Sequence, residues 1–157
     1  MAEPGNQAFP TALRFRDDAA ADEPAVSLDA FLEQEEANSV RIEAGEDVTT
    51  LFPHLARVRL VEVDFPRFRD GRGFSTARML REAGYTGEIK AVGDVLVDLI
   101  FFMRRCGFDS FAPDKPFDAE DAQAALTRWP EVYQHAADAP GSPLCVPIWA
   151  KRHGVAA

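Results

Sequence analysis

The chain has 157 residues, 46% hydrophobic and 27% charged, which suits a single globular domain with a core of its own. Its formal net charge of −9 argues against a protein devoted to nucleic acid or anionic membrane, since both require basic surface to neutralise phosphates. Two cysteines, Cys106 and Cys145, are too sparse for a disulfide framework or a zinc site.

Residues 1–39 carry Pro4, Pro10, Pro24 and an Ala/Asp/Glu run from Asp17 to Glu23, so they are expected to form an acidic, loosely ordered leader. Within it, Ala12 to Phe15 suits a short strand, and Ser27 can cap a helical turn bearing Leu28, Phe31 and Leu32. An α/β domain is expected over 40–137. Ser39 to Ile42 opens it as a strand, and Asp47 can cap a helix with Val48, Leu51 and Leu55 that Pro53 keeps short. Val58 to Phe65 sets apolar residues against Arg59, Glu62 and Asp64 and reads as a largely buried strand. Pro66 and Asp70-Gly71-Arg72-Gly73 then break the chain, after which Ser75 can cap a helix that ends at Gly84.

The pattern repeats. Glu88 to Val92 is a second strand, and Gly93-Asp94 turns into a long apolar helix through Leu96, Leu99, Ile100, Phe102, Met103 and Cys106, expected to be largely buried. Phe108 to Ala112 is a further short strand. Asp118 can cap a helix from about Ala119 to Gln134 that Pro130 bends or splits, with Leu126, Trp129, Val132 and Tyr133 on its inner face. Residues 138–157 form a proline-containing tail whose Leu144, Val146, Ile148 and Trp149 make an apolar peptide suited to docking on its own domain or on a partner. Repeated strand–turn–helix units predict an α/β fold with a small parallel sheet, either open and three-layered or shaped like a truncated barrel, because 157 residues are too few for a closed eight-stranded one. The truncated barrel would leave a sheet edge exposed, which predicts either a homo-oligomer or coverage by the leader and tail.

If the two strands are parallel, both turns lie at the carboxyl edge of the sheet, the usual ligand edge of α/β folds. Asp70, Gly71, Arg72, Gly73, Ser75 and Asp94 are therefore the candidate site. Gly71-Arg72-Gly73 before a helix resembles a phosphate cradle, with Arg72 and the hydroxyl of Ser75 as anion ligands, although Thr76 replaces the third glycine of a dinucleotide fingerprint. The plainer reading pairs Arg72 with Asp70 and gives Asp94 a helix-capping role. Five arginines between Arg67 and Arg81 concentrate positive charge around this turn. His54, His135 and His153 lack metal or triad spacing, and no metal site is expected. Cys106 at a helix carboxyl end reads as a structural thiol. The chain opens without a basic and apolar leader and holds no stretch of about 18 apolar residues, so the cytoplasm is the expected location, with neither membrane nor nucleic acid as partner.

The run Phe65-Pro66-Arg67-Phe68, Asp70-Gly71-Arg72-Gly73-Phe74-Ser75, Gly84-Tyr85, Ala91-Val92-Gly93-Asp94-Val95 and Arg104-Arg105-Cys106-Gly107-Phe108 resembles the bacterial domain of unknown function family 934. That family is commonly labelled an oxidoreductase, and its genes often sit beside the sirohaem sulfite or nitrite reductase. The resemblance implies a role in reductive sulfate assimilation and carries no established catalytic residues. A redox enzyme needs a cofactor site or paired thiols; the sequence offers neither a dinucleotide fingerprint nor Cys-x-x-Cys, so the cofactor is left open. The expectation is an accessory protein that binds the reductase, with a small enzyme acting on an anionic substrate at the sheet edge as the alternative.

Overall fold

The computed structural model describes residues 13–133, 136–137 and 146–153. In chain order come β1 (Leu13–Arg14), β2 (Val26–Ser27), α1 (Leu28–Glu33), β3 (Ser39–Ile42), a 3-10 segment (Val48–Arg57), β4 (Leu60–Phe65), α2 (Arg72–Glu82), β5 (Glu88–Gly93), a 3-10 turn (Val97–Leu99), α3 (Ile100–Cys106), β6 (Ser110–Pro113), α4 (Ala119–Thr127), β7 (Glu131–Val132), β8 (Val146–Pro147) and α5 (Ile148–His153).

The main sheet has six strands in the order β1-β6-β5-β4-β3-β2, all neighbours parallel except β1 on β6. From β2 to β6 the strands therefore advance steadily across the sheet. Right-handed crossovers in one direction place the connecting helices on one face, and the successive packing of α2 on α3 and α3 on α4 agrees with that. Of the two expected shapes, this is the singly wound one from which barrels are built, left open at β1 and β2.

Strand register sorts the side chains. Val40, Val61 and Ile89 lie side by side, as do Ile42, Val63, Ala91 and Phe111, and all are buried. They form the apolar face beneath the helices, where α2 adds Ala77 and Leu80 and α3 adds Ile100 and Met103. A run of rings crosses this core, Phe102 on Phe74, Phe74 on Phe65, Phe65 on Phe108 and Phe108 on Phe111, with centroids 5.4, 5.5, 5.8 and 6.4 Å apart. Full burial of each such ring stabilises by about 1.5–3 kcal/mol. The alternate residues give the opposite face a polar row in register, Arg41, Glu62, Lys90, Ser110 and Arg14. Lys90 Nζ lies 3.4 Å from Glu62 Oε1, and Arg41 pairs with Asp64 one step toward the carboxyl edge. A parallel sheet covered on both faces would be apolar on both; this one is not.

Several local expectations change. Within the leader, β1 and the Ser27-capped α1 form where expected, the Ser27 hydroxyl accepting from the Ala30 N–H, while β2 and the fully buried Phe31 tie the stretch expected to be loose into the domain. Asp47 caps its segment as expected, but that segment is a ten-residue 3-10 helix with Pro53 inside. Ser75 is not a cap, because α2 already begins at Arg72. Asp94 caps no helix either: a 3-10 turn precedes α3, which is half exposed at Phe102 and so not largely buried. Asp118 does cap α4, through the N–H groups of Glu120 and Asp121, yet Pro130 ends that helix rather than bending it. Trp129 and Tyr133 consequently face outward.

The tail folds back on the domain through backbone pairing, Val146 opposite Glu131 and Pro147 opposite Val132. Leu144, His135 and Cys145 lie outside the described residues. No helix among the described residues is long and apolar enough to cross a membrane.

Candidate functional site

The expected carboxyl-edge residues do gather at one edge, but chiefly to bind one another. The Asp70 carboxylate accepts the backbone N–H of Arg72 at 3.1 Å, its Nε at 2.9 Å and its Nη2 at 2.6 Å. It thus meets the first helical N–H of α2, the role expected of Ser75, while gripping the side chain expected to hold an anion. The hydrogen bond from the Arg72 side chain, aided by the one from its backbone, lowers the Asp70 pKa to about 2. Arg72 also packs against Gly45, where φ is +100° and an added Cβ would come within 2.7 Å of Nη1. Across the edge, Asp94 Oδ2 accepts the Phe68 N–H at 3.0 Å and the Asp94 N–H donates to the Phe65 carbonyl at 2.8 Å, so Asp94 clamps the loop after β4. Gly73 is buried in the first turn of α2 against the Phe65 ring, a packing contact rather than a cradle. Among the described residues no group of three or more His, Cys, Asp or Glu is placed to hold a metal ion.

The opposite, amino-terminal edge holds what sequence reasoning missed. Arg81, in the last turn of α2, donates to the carbonyls of Tyr85, Gly87 and Gly107 and, from Nη2 at 2.6 Å, to Asp109 Oδ2. Asp109 also accepts from Arg16 Nη1 at 3.2 Å and from the Ile89 N–H at 3.1 Å, while Arg104 Nη1 stands 3.7 Å from its other oxygen. Beside it, buried Glu88 takes the Ser110 hydroxyl at 2.6 Å and Arg14 Nε at 2.8 Å. Arg14 and Arg16 both reach Asp18, whose carboxyl is held well below its ordinary pKa mainly by the hydrogen bond from Arg16. Each buried carboxylate is thereby compensated.

Two clefts open at this edge. The larger, about 590 Å³, lies between the carboxyl ends of α2 and α3 and is lined by Phe15, Arg78, Arg81, Tyr85, Arg104 and Phe108 among others. The second, about 400 Å³, lies across Arg16, with Arg14, Asp18, Arg59 and Glu88 on its walls.

A third, shallower groove of about 350 Å³ runs between α3 and the chain after α4, bounded by Phe101, Phe102, Trp129 and Tyr133 with Asp98, Arg105 and Arg128 at its rim. Phe102, Trp129 and Tyr133 are 55%, 58% and 81% exposed. Of the tail residues expected to meet a partner, Val146 is occupied in β8, and Ile148 is partly exposed at the start of α5, which also contains Trp149.

No curated protein and no solved structure matches the chain. A family profile described as bacterial protein of unknown function (DUF934) matches residues 39–144, from the start of β3 to beyond β7, and so takes in the carboxyl-edge residues and the aromatic groove, but not the Phe15 and Arg16 of the amino edge. With two-thirds of its length matched in this way, the chain belongs to the DUF934 family.

Proposed function

We propose that this chain acts by binding another protein, as an accessory of assimilatory sulfite reduction whose partner is the sirohaem sulfite or nitrite reductase. The setting this implies is the cytoplasm. Family membership suggests the partner; the observation that supports the mode of action is the exposed aromatic groove of Phe101, Phe102, Trp129 and Tyr133 with arginines at its rim. Aromatic residues and Arg are the side chains enriched where proteins dock, and a few such anchors carry most of the binding free energy. One side of the Phe102 ring rests on Phe74 in a tilted contact, centroids 5.4 Å apart, which lessens the rotamer freedom lost when it is covered. The acidic remainder of the surface suits a basic partner face and speeds encounter. The alternative, an enzyme for anionic substrates at the carboxyl edge, draws less support because Asp70 and Arg72 satisfy each other there.

The test is co-purification from native cells with the full chain as bait, comparing wild type with Trp129→Ser, Phe102→Ser and an Arg72→Gln/Asp94→Asn pair. Recovery of the reductase by wild type and by the Arg72/Asp94 pair, lost with either aromatic change, supports the reading. Absence of the reductase from the wild-type eluate, or equal recovery with the aromatic variants, overturns it.

A further inference from the structure

The larger amino-edge cleft has a charge opposite to that of the chain as a whole. Four guanidinium groups, from Arg16, Arg78, Arg81 and Arg104, line it against the carboxylates of Glu82 and Asp109, in a protein whose net charge is −9. The carboxyl ends of α2 and α3 also point here, and their carbonyls alone would repel an anion. Most of those carbonyls already accept backbone N–H groups, those of Met79, Leu80 and Arg81 in α2 and of Met103, Arg104 and Arg105 in α3, and the carbonyls just beyond the helices are taken as well: Arg81 donates to Tyr85 and Gly107 and Arg104 to Phe108. The structural demand for positive charge is thus met by Arg81 and Arg104, and Arg78 stands beyond it. The single hydrogen bond shown for Arg78 runs from Nε to Glu82 Oε1 at 2.7 Å, one turn away on the same helix. Its two Nη groups have no protein partner among the described residues, which leaves a planar donor fork at the cleft mouth. The remaining wall is apolar, made by Phe15, Phe108, Ala136 and Ala137, with the Arg104 guanidinium 4.8 Å from the centre of the Phe15 ring. A volume of about 590 Å³ falls in the range of small-molecule sites.

We infer that this cleft binds a small organic anion, its carboxylate, sulfonate or phosphate group on the Arg78 fork and its apolar body against Phe15 and Phe108. The site is separate from the aromatic groove and stands whether or not that groove binds the reductase. Bidentate recognition by the fork sets the position of the anionic group, and the apolar wall excludes a bare inorganic ion from gaining full affinity. The Arg78–Glu82 pair tunes the site, because Glu82 competes with the ligand for the same guanidinium.

The test uses the full chain, uniformly ¹⁵N-labelled, titrated at low salt with phenyl phosphate, inorganic phosphate, benzyl alcohol and benzylamine and followed by amide chemical shifts. Phenyl phosphate is expected to shift amides around Phe15, Gly84 to Thr86 and Gly107 to Asp109, and to bind more tightly than the other three. Arg78→Gln is expected to weaken it and Glu82→Gln to tighten it, each by about threefold, the effect of one exposed charge. Both side chains are half exposed or more, so both variants keep the fold. A merely structural pair would not give opposite signs. Benzylamine or inorganic phosphate binding as well as phenyl phosphate, shifts confined to other surfaces, or both variants moving affinity the same way would each overturn the assignment.

Discussion

Asp109 joins the chain start, α2, α3 and β5 at one point, and the substitution Asp109→Asn measures what that junction contributes. The change keeps shape but removes the charge facing Arg81, Arg16 and Arg104 and turns one oxygen into a donor aimed at other donors. Only 15% of the Asp109 side chain is exposed, and Arg81 and Arg104 are equally enclosed. A hydrogen bond to a charged group contributes about 1.5–3 kcal/mol, and breaking a fully buried ion pair costs about 3–5 kcal/mol. Discounting for the greater exposure of Arg16, the expected loss is about 2–4 kcal/mol, or roughly 5–15 °C in Tm for a domain of this size. Urea unfolding followed by circular dichroism should show a lower midpoint with an unchanged m-value. Asp18→Asn is the control: that carboxylate is more than half exposed, and its loss should leave the midpoint nearly where it was. A loss of under about 1 kcal/mol for Asp109→Asn, or equal effects of the two changes, would refute the view that the junction is a tightly coupled network.

Gly93→Ala should cost about 2–5 kcal/mol, because φ is +94° and a Cβ would come within 2.5 Å of the Phe65 carbonyl oxygen; Gly84→Ala, with φ +87° and open space around it, should cost only about 1–2 kcal/mol in the same unfolding assay. The stabilising Asp70–Arg72 pair should be fully present above about pH 4, weaken below it as the unfolded carboxyl protonates first, and vanish as the pH falls through about 2, where the folded carboxylate protonates too. Wild type and Arg72→Gln are therefore expected to converge in stability near pH 2 in acid titrations, and a gap that persists there would count against the pairing. Burial raises the Cys106 thiol pKa, so peptide mapping after brief alkylation at neutral pH should find Cys106 modified more slowly than free cysteine; labelling at the free rate would remove the enclosed thiol.

The strands were legible because their apolar alternation and flanking turns agree: β4 and β5 lie within a residue or two of where Val58 to Phe65 and Glu88 to Val92 placed them. Ser75 carries the usual cap chemistry and so points to a later start for α2, whereas the carboxylate that meets the first helical N–H belongs to Asp70. The amino-edge cleft was hidden for a different reason. Arg78 and Arg81 sit close in sequence to Arg72, which suggested one basic patch, yet α2 carries them roughly 10–15 Å away toward the opposite edge. Asp109, the partner of Arg81, and the Arg16 and Arg104 that share it come from distant stretches that only the sheet brings together. The outward turn of Trp129 and Tyr133 followed from Pro130 stopping α4, where helical periodicity had carried them inward.

The antiparallel pairing of β1 with β6 sets an order on assembly. Every other strand of the main sheet joins a neighbour just before or after it in the chain, so units can be added as they leave the ribosome. Leu13 must wait for Phe111. Until then the nascent sheet grows with a bare leading strand, and Arg14 and Arg16 have neither Glu88 nor Asp109 to bind. The first described strand of the chain is thus the last of the main sheet to lock, and it covers the edge along which an unfinished copy would otherwise add to its neighbour.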